Sequence, residues 1–131
     1  MVVLAADTNV WARAYLNDDA AQATKARSAL AHARSRDGVF VPLIVLAELS
    51  WVLRSRWRPE RVLDTIEALL QTRGVTVESH ALARRALEAT RKGPAGFADH
   101  LIAEISFESG ASEIITFDKD FARKPHVRRL R

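Results

Sequence analysis

Apolar and polar positions along the chain follow two rhythms in turn. Short apolar runs of strand length occupy residues 2–6 (VVLAA), 39–41 (VFV), 75–77 (VTV) and 113–117 (EIITF), with a possible fifth at 127–130. Between them lie longer stretches with helical spacing, over 8–16, 19–35, 43–53, 59–72, 79–91 and 98–109. The punctuation fits this reading. Asp18 or Asp19 can cap the second helix, Pro42 and Pro59 suit first turns, and Gly38, Gly74 and Gly110 fall where helices end. The loop Gly93-Pro94-Ala95-Gly96 is a break. Strands alternating with helices predict an α/β fold, a mostly parallel sheet covered by helices on both faces, in a single domain over residues 1–131. No repeat, linker or low-complexity segment interrupts it.

Four acids stand out against this pattern. In an open parallel sheet, chemistry gathers beyond the carboxyl ends of the strands. Asp7 follows the first strand and Asp118 the fourth, so their side chains are expected to meet if those strands are neighbours. Each has a plainer reading: Asp7 as the cap of helix 8–16, Asp118 as a turn residue in Phe117-Asp118-Lys119-Asp120. Glu48 shares a ridge with Ile44 and Val52, flanked by Val45 and Trp51, which puts a carboxylate in an apolar stripe. If that stripe is buried, Glu48 needs a cation, a basic side chain or a metal beside it. Asp99 stands in the first turn of helix 98–109, where the helix dipole also favours an acid. An oxygen-only cluster suits Mg²⁺ or Mn²⁺, and it would hold together only around a cation; the four histidines show no ligand spacing.

Composition narrows the choice. With 48% hydrophobic residues the chain can build one core, and with no cysteine it has neither disulfides nor a thiolate site, which points to a reducing compartment, the cytoplasm. No apolar segment approaches the ~20 residues of a membrane span. The 20 Lys+Arg against 16 Asp+Glu give a formal charge of +4, which favours a polyanionic partner.

The stretches LAADTNVW, PLIVLAELSWVL, GFADHLIAEIS and IITFDKDF, in this order, resemble the PIN-domain family, and within it the VapC-type toxins of bacterial toxin–antitoxin pairs. The resemblance runs from Asp7 to Phe121. It implies a three-layer α/β/α sandwich, a metal-dependent endoribonuclease, a homodimer, and a small antitoxin that wraps the toxin and occludes its site. Asp7, Glu48, Asp99 and Asp118 match the family's four acidic positions, Asn9 and Thr116 the polar positions that support them, and Asp120 a peripheral second acid.

On that reading the four acids hold one or two Mg²⁺ or Mn²⁺ ions, and a water activated by the cation attacks the RNA phosphodiester. Basic residues around them would hold the strand: Lys119, Arg123 and Lys124 from the tail, Arg54 after Glu48, and less specifically Arg56, Arg58, Arg128, Arg129 and Arg131. Trp51 and Trp57 could stack on bases or lie in core or interface, and the surface of helix 19–35 could meet RNA or antitoxin. Two other readings fail on position. A haloacid-dehalogenase-like phosphatase needs Asp-x-Asp after an early strand, and only eleven residues follow Asp120. A response-regulator receiver needs an Asp after its third strand, where this chain has Glu78-Ser79. The remaining alternative is a non-catalytic PIN-type domain that binds RNA or protein and uses its acids structurally.

Overall fold

A computed structural model describes residues 3–131, and the first residue of the 2–6 run lies outside them. The chain forms two compact units, divided at His80/Ala81.

In the first unit, β1 (Leu4–Ala5), α1 (Thr8–Leu16), α2 (Ala20–Arg34), β2 (Val39–Val41), α3 (Leu43–Arg54), α4 (Pro59–Leu70) and β3 (Val75–Val77) follow one another. All pairings in its sheet, ordered β1-β2-β3, are parallel, with Leu4 opposite Val39 and Val39 opposite Val75. The register is set at two glycines. Gly38 and Gly74 both have positive φ, at 99° and 86°, and their carbonyls accept from Leu4 N (3.2 Å) and Val39 N (2.8 Å) respectively. A Cβ on Gly74 would stand 2.6 Å from the Arg34 carbonyl oxygen, so the end of α2 approaches the sheet only because no side chain intervenes. Val39 and Val41 are fully buried, and so are Leu46, Leu49 and Leu53 of α3 and Ile66 of α4. Burying each Leu or Ile side chain contributes about 1.5–3 kcal/mol.

The burial of α3 differs from the sequence reading. Its buried ridge is Leu46, Leu49, Ser50 and Leu53, whereas Ile44 and Trp51 are 68% and 67% exposed and Glu48 is exposed between them. The Ile44-Glu48-Val52 stripe faces outward because a helix this apolar carries two hydrophobic faces and the leucine-rich one takes the core. Glu48 therefore needs no buried counter-charge.

The second unit continues from α5 (His80–Lys92) through α6 (Phe97–Glu108), β4 (Ile114–Thr116), a 3-10 turn at Phe121–Arg123 and β5 (Val127–Arg129). β4 and β5 pair in parallel, Ile114 opposite Val127. Its core gathers Ala95, Ala103, Phe121 and Val127, with Phe107 and Ile114 packed against them. The α/β class with parallel pairing is as expected. Among the described residues, hydrogen-bonded strands form one set of three and one of two, in which β1 pairs with β2 and β4 with β5. No described helix is long and apolar enough to cross a membrane.

Candidate functional site

Each unit carries two of the four acids. In the first, Asp7 leaves β1 and caps α1 as its N-terminal residue: its extended backbone (φ −75°, ψ 173°) turns the side chain back, and Oδ1 accepts from Val10 N at 3.2 Å. The capping role read from sequence is real, and it occupies one oxygen. The next residue matters as much. Thr8 Oγ1 donates to Glu48 Oε1 at 2.8 Å, tying the middle of α3 to the start of α1 one residue from Asp7. Sequence reasoning passed over Thr8; its only signal was its place between the two residues singled out in Asp-Thr-Asn. Asn9 lines a cleft of about 510 Å³ together with Asp7, Arg13 of α1 and Gln22 and Lys25 of α2. Two cations thus share a cleft with Asp7.

At the same carboxyl edge of this sheet, Glu78 follows β3 and its Oε1 accepts from Leu43 N at 3.0 Å. Pro42 makes no side-chain cap for α3, so Glu78 supplies it across the sheet. This acid is structural.

In the second unit, Asp99 stands in the first turn of α6, half-buried, after Gly96 as the cap residue. Burial pushes its carboxyl above the usual range, the Asp118 charge pushes it further, and a hydrogen bond with the Gly96 backbone partly offsets both. Asp118 is built into a turn, where Oδ1 accepts from Asp120 N (2.8 Å) and Phe121 N (3.0 Å) and fixes the start of the 3-10 turn. Thr116 Oγ1 accepts from Asp118 N at 3.0 Å, which holds the aspartate's own backbone at the end of β4. Asp120 is exposed, and its side chain makes no cap bond to the 3-10 turn.

Among the basic candidates, Arg54 donates through Nη1 to the Trp57 carbonyl at 3.0 Å, and Lys119 and Arg123 are exposed. Arg56 forms a two-pronged pair with Asp18 (3.2 and 2.9 Å) and Arg128 does the same with Glu113 (3.1 and 2.9 Å), so these two already have partners. Trp51 is open to solvent, whereas Trp57 is half-buried, with Tyr15 edge-on and the Arg61 guanidinium 3.7 Å above its ring. His100, beside Asp99, is buried, and burial with the Lys124 charge lowers its pKa to about 4.

The donor chemistry fits a hard divalent cation: carboxylate and hydroxyl oxygens in both units, with no sulfur. Asp99, whose proton affinity is raised by burial and by the Asp118 charge, is a carboxylate that a cation would relieve. Among the described residues no three His, Cys, Asp or Glu side chains form a ready-made ligand cage. What each unit presents is a pair of acids.

Among curated proteins none matches this chain. Among solved structures, the crystal structure of Mycobacterium tuberculosis VapC20, a sarcin-ricin loop cleaving toxin, is similar over 96% of this chain and 97% of its own, at 22% identity and a TM-score of 0.46. The family model for the PIN domain matches residues 4–127, a span that includes all four acids and covers most of each compact unit. By that match the chain belongs to the PIN-domain family.

Proposed function

We propose that the chain is a Mg²⁺- or Mn²⁺-dependent endoribonuclease, the toxin half of a type II toxin–antitoxin pair, which acts in the cytoplasm as a homodimer and is silenced by a small antitoxin. The observation that carries this reading is the half-buried Asp99 in the first turn of α6, whose carboxyl is pushed up by burial and by the Asp118 charge and which a bound cation would relieve. Family membership and the order of the four acids support it.

Asp7, Glu48, Asp99 and Asp118 are the residues that would hold the cation. Bound there, Mg²⁺ or Mn²⁺ would make water a better nucleophile and offset the charge that builds on the phosphate in the transition state. The chain's own residues do the positioning. Thr8 holds Glu48 in place and Thr116 holds the backbone of Asp118. Lys119, Arg123 and Lys124, with Arg54 and the cleft residues Arg13 and Lys25, are suited to bind the phosphates of the strand. Asn9 supports Asp7 from the wall of the same cleft.

A second reading, a non-catalytic PIN-type binding domain, is favoured by one specific fact. Asp7 and Asp118 each have a structural task, as helix cap and as turn residue. Incubating antitoxin-free protein with structured RNAs plus Mg²⁺ or Mn²⁺, with and without chelator, separates the two. The nuclease reading expects cleavage that chelator abolishes and that Glu48→Gln loses. Cleavage indifferent to chelator, or a Glu48→Gln protein as active as the parent, overturns it. The toxin assignment further expects growth arrest on induction, relieved by co-expressing the adjacent small reading frame.

A further inference from the structure

The second unit holds a cleft of about 370 Å³ that none of the four acids lines. Lys92, at the end of α5, and Arg123 and Lys124, at the end of the 3-10 turn, bring three cations to it against the single carboxylate of Asp120. None of the three cations has an ion-pair partner among the described residues. Pro94 and Pro125 supply rigid apolar wall.

The buried part of the wall is His100. It is 4% exposed, and neither Nδ1 nor Nε2 has a hydrogen-bond partner among the described residues. An unmet buried polar group is costly, and such groups are rare enough in folded proteins to need a reason. A phenylalanine would fill the same space without that cost. An imidazole offers one N–H and one lone pair, a donor and an acceptor side by side with the cations.

We propose that this cleft is a single-nucleotide subsite, in which Lys92, Arg123 and Lys124 hold the phosphate while the base lies between Pro94 and Pro125 with its polar edge toward His100. The volume supports a nucleotide over a bare anion. Small-molecule sites occupy roughly 300–1,000 Å³, and a lone phosphate would leave most of this cleft and its apolar wall unused. Single-stranded RNA presents splayed bases whose edges can be hydrogen-bonded, and His100 offers a donor and an acceptor for such an edge beside the apolar wall of Pro94 and Pro125. The subsite also adjoins the proposed chemistry through the chain itself, because Asp118 Oδ1 accepts from the backbone of Asp120, a residue that lines the cleft. Taking the nucleotide as part of a substrate strand, next to the bond that is cut, rests on the endoribonuclease reading.

The test is binding without chemistry. Titrations of 5′-AMP, 5′-UMP, adenosine and inorganic phosphate into the full chain in EDTA are followed by the His100 ring signals in NMR and by calorimetry. Saturable binding of at least one mononucleotide is expected, tighter than both adenosine and phosphate. His100→Phe should weaken it about fivefold or more, the equivalent of one hydrogen bond. If His100→Phe does not fold, the surface variant Lys92→Ala/Arg123→Ala should give a comparable loss. Arg73→Ala, at an exposed position outside the cleft, should leave binding unchanged. Phosphate binding as tightly as the nucleotides, no saturation by about 10 mM mononucleotide, or a Lys92→Ala/Arg123→Ala protein that binds like the parent overturns the subsite. Because no cation is present, the two proposals fail separately: mononucleotide binding without RNA cleavage leaves the subsite standing, and cleavage without mononucleotide binding sinks the subsite alone.

Discussion

Asp7 has two tasks, and they can be separated by one atom. As a cap it needs an acceptor oxygen for Val10 N, which asparagine also provides; as a cation ligand it needs its negative charge. Replacing an Asp cap with Ala costs about 0.5–2 kcal/mol. The bond here is exposed, and at 3.2 Å it lies at the long end of the normal range, which places Asp7→Ala at about 0.5–1 kcal/mol. For a domain of this size that lowers Tm by roughly 2–5 °C. Asp7→Asn keeps the acceptor and should stay within about 0.3 kcal/mol of the parent. Both variants lose the charge, so both should lose the stabilisation on adding Mg²⁺, which for the parent at a hundredfold excess over Kd is about 2.7 kcal/mol and is read as a rise in Tm. Both should also cleave RNA at least about 100-fold more slowly, since charge stabilisation by a bound metal is worth several kcal/mol. Thermal melts with Mg²⁺ and with EDTA, beside single-turnover cleavage, measure all of this. An Asp7→Asn protein that melts as low as Asp7→Ala, yet cleaves like the parent, would refute the separation.

Three more outcomes follow from the geometry. Because burial and Asp118 raise the folded-state pKa of Asp99, its ionised form is disfavoured on folding, and stability is lost as pH rises from the unfolded value of 3.8 through the folded one. Asp99→Asn should therefore melt above the cation-free parent at pH 7 and match it near pH 3; an equal gap at both pH values would disprove the raised pKa of Asp99. Thr8→Val removes the hydroxyl that holds Glu48 and should change stability by no more than about 1 kcal/mol while lowering kcat more than KM is raised, as read from steady-state cleavage. Gly74→Ala combines a positive φ with a Cβ 2.6 Å from backbone oxygen, so a loss of at least about 1 kcal/mol is expected in urea denaturation.

Much of this architecture is written in local signals. Asp7 before Thr8 and Asp19 before Ala20 start helices where capping chemistry says they should, and the α1 span is as expected from sequence. α3 was misread because periodicity identifies apolar faces without ranking them. Ile44-Glu48-Val52 and Leu46-Leu49-Leu53 are both credible core ridges, and only the packed unit chooses the second. Thr8 carried no signal beyond its place in Asp-Thr-Asn because its partner is forty residues away. Glu78 looked like the end of a strand, and its role in closing the first turn of α3 depends on the β2–β3 register. His100 is the furthest from legible: an isolated histidine in an apolar helix says nothing of its neighbours until the 3-10 turn folds Arg123 and Lys124 beside the same cleft.

Asp7 and Asp118 both commit Oδ1 to their own main chain and leave Oδ2 without a bond among the described residues. Their rotamers are consequently frozen when the polypeptide folds, before any ion arrives. Ordering that ligation would otherwise have to impose has already been charged to folding, so chelation at these two carboxylates sacrifices little side-chain freedom.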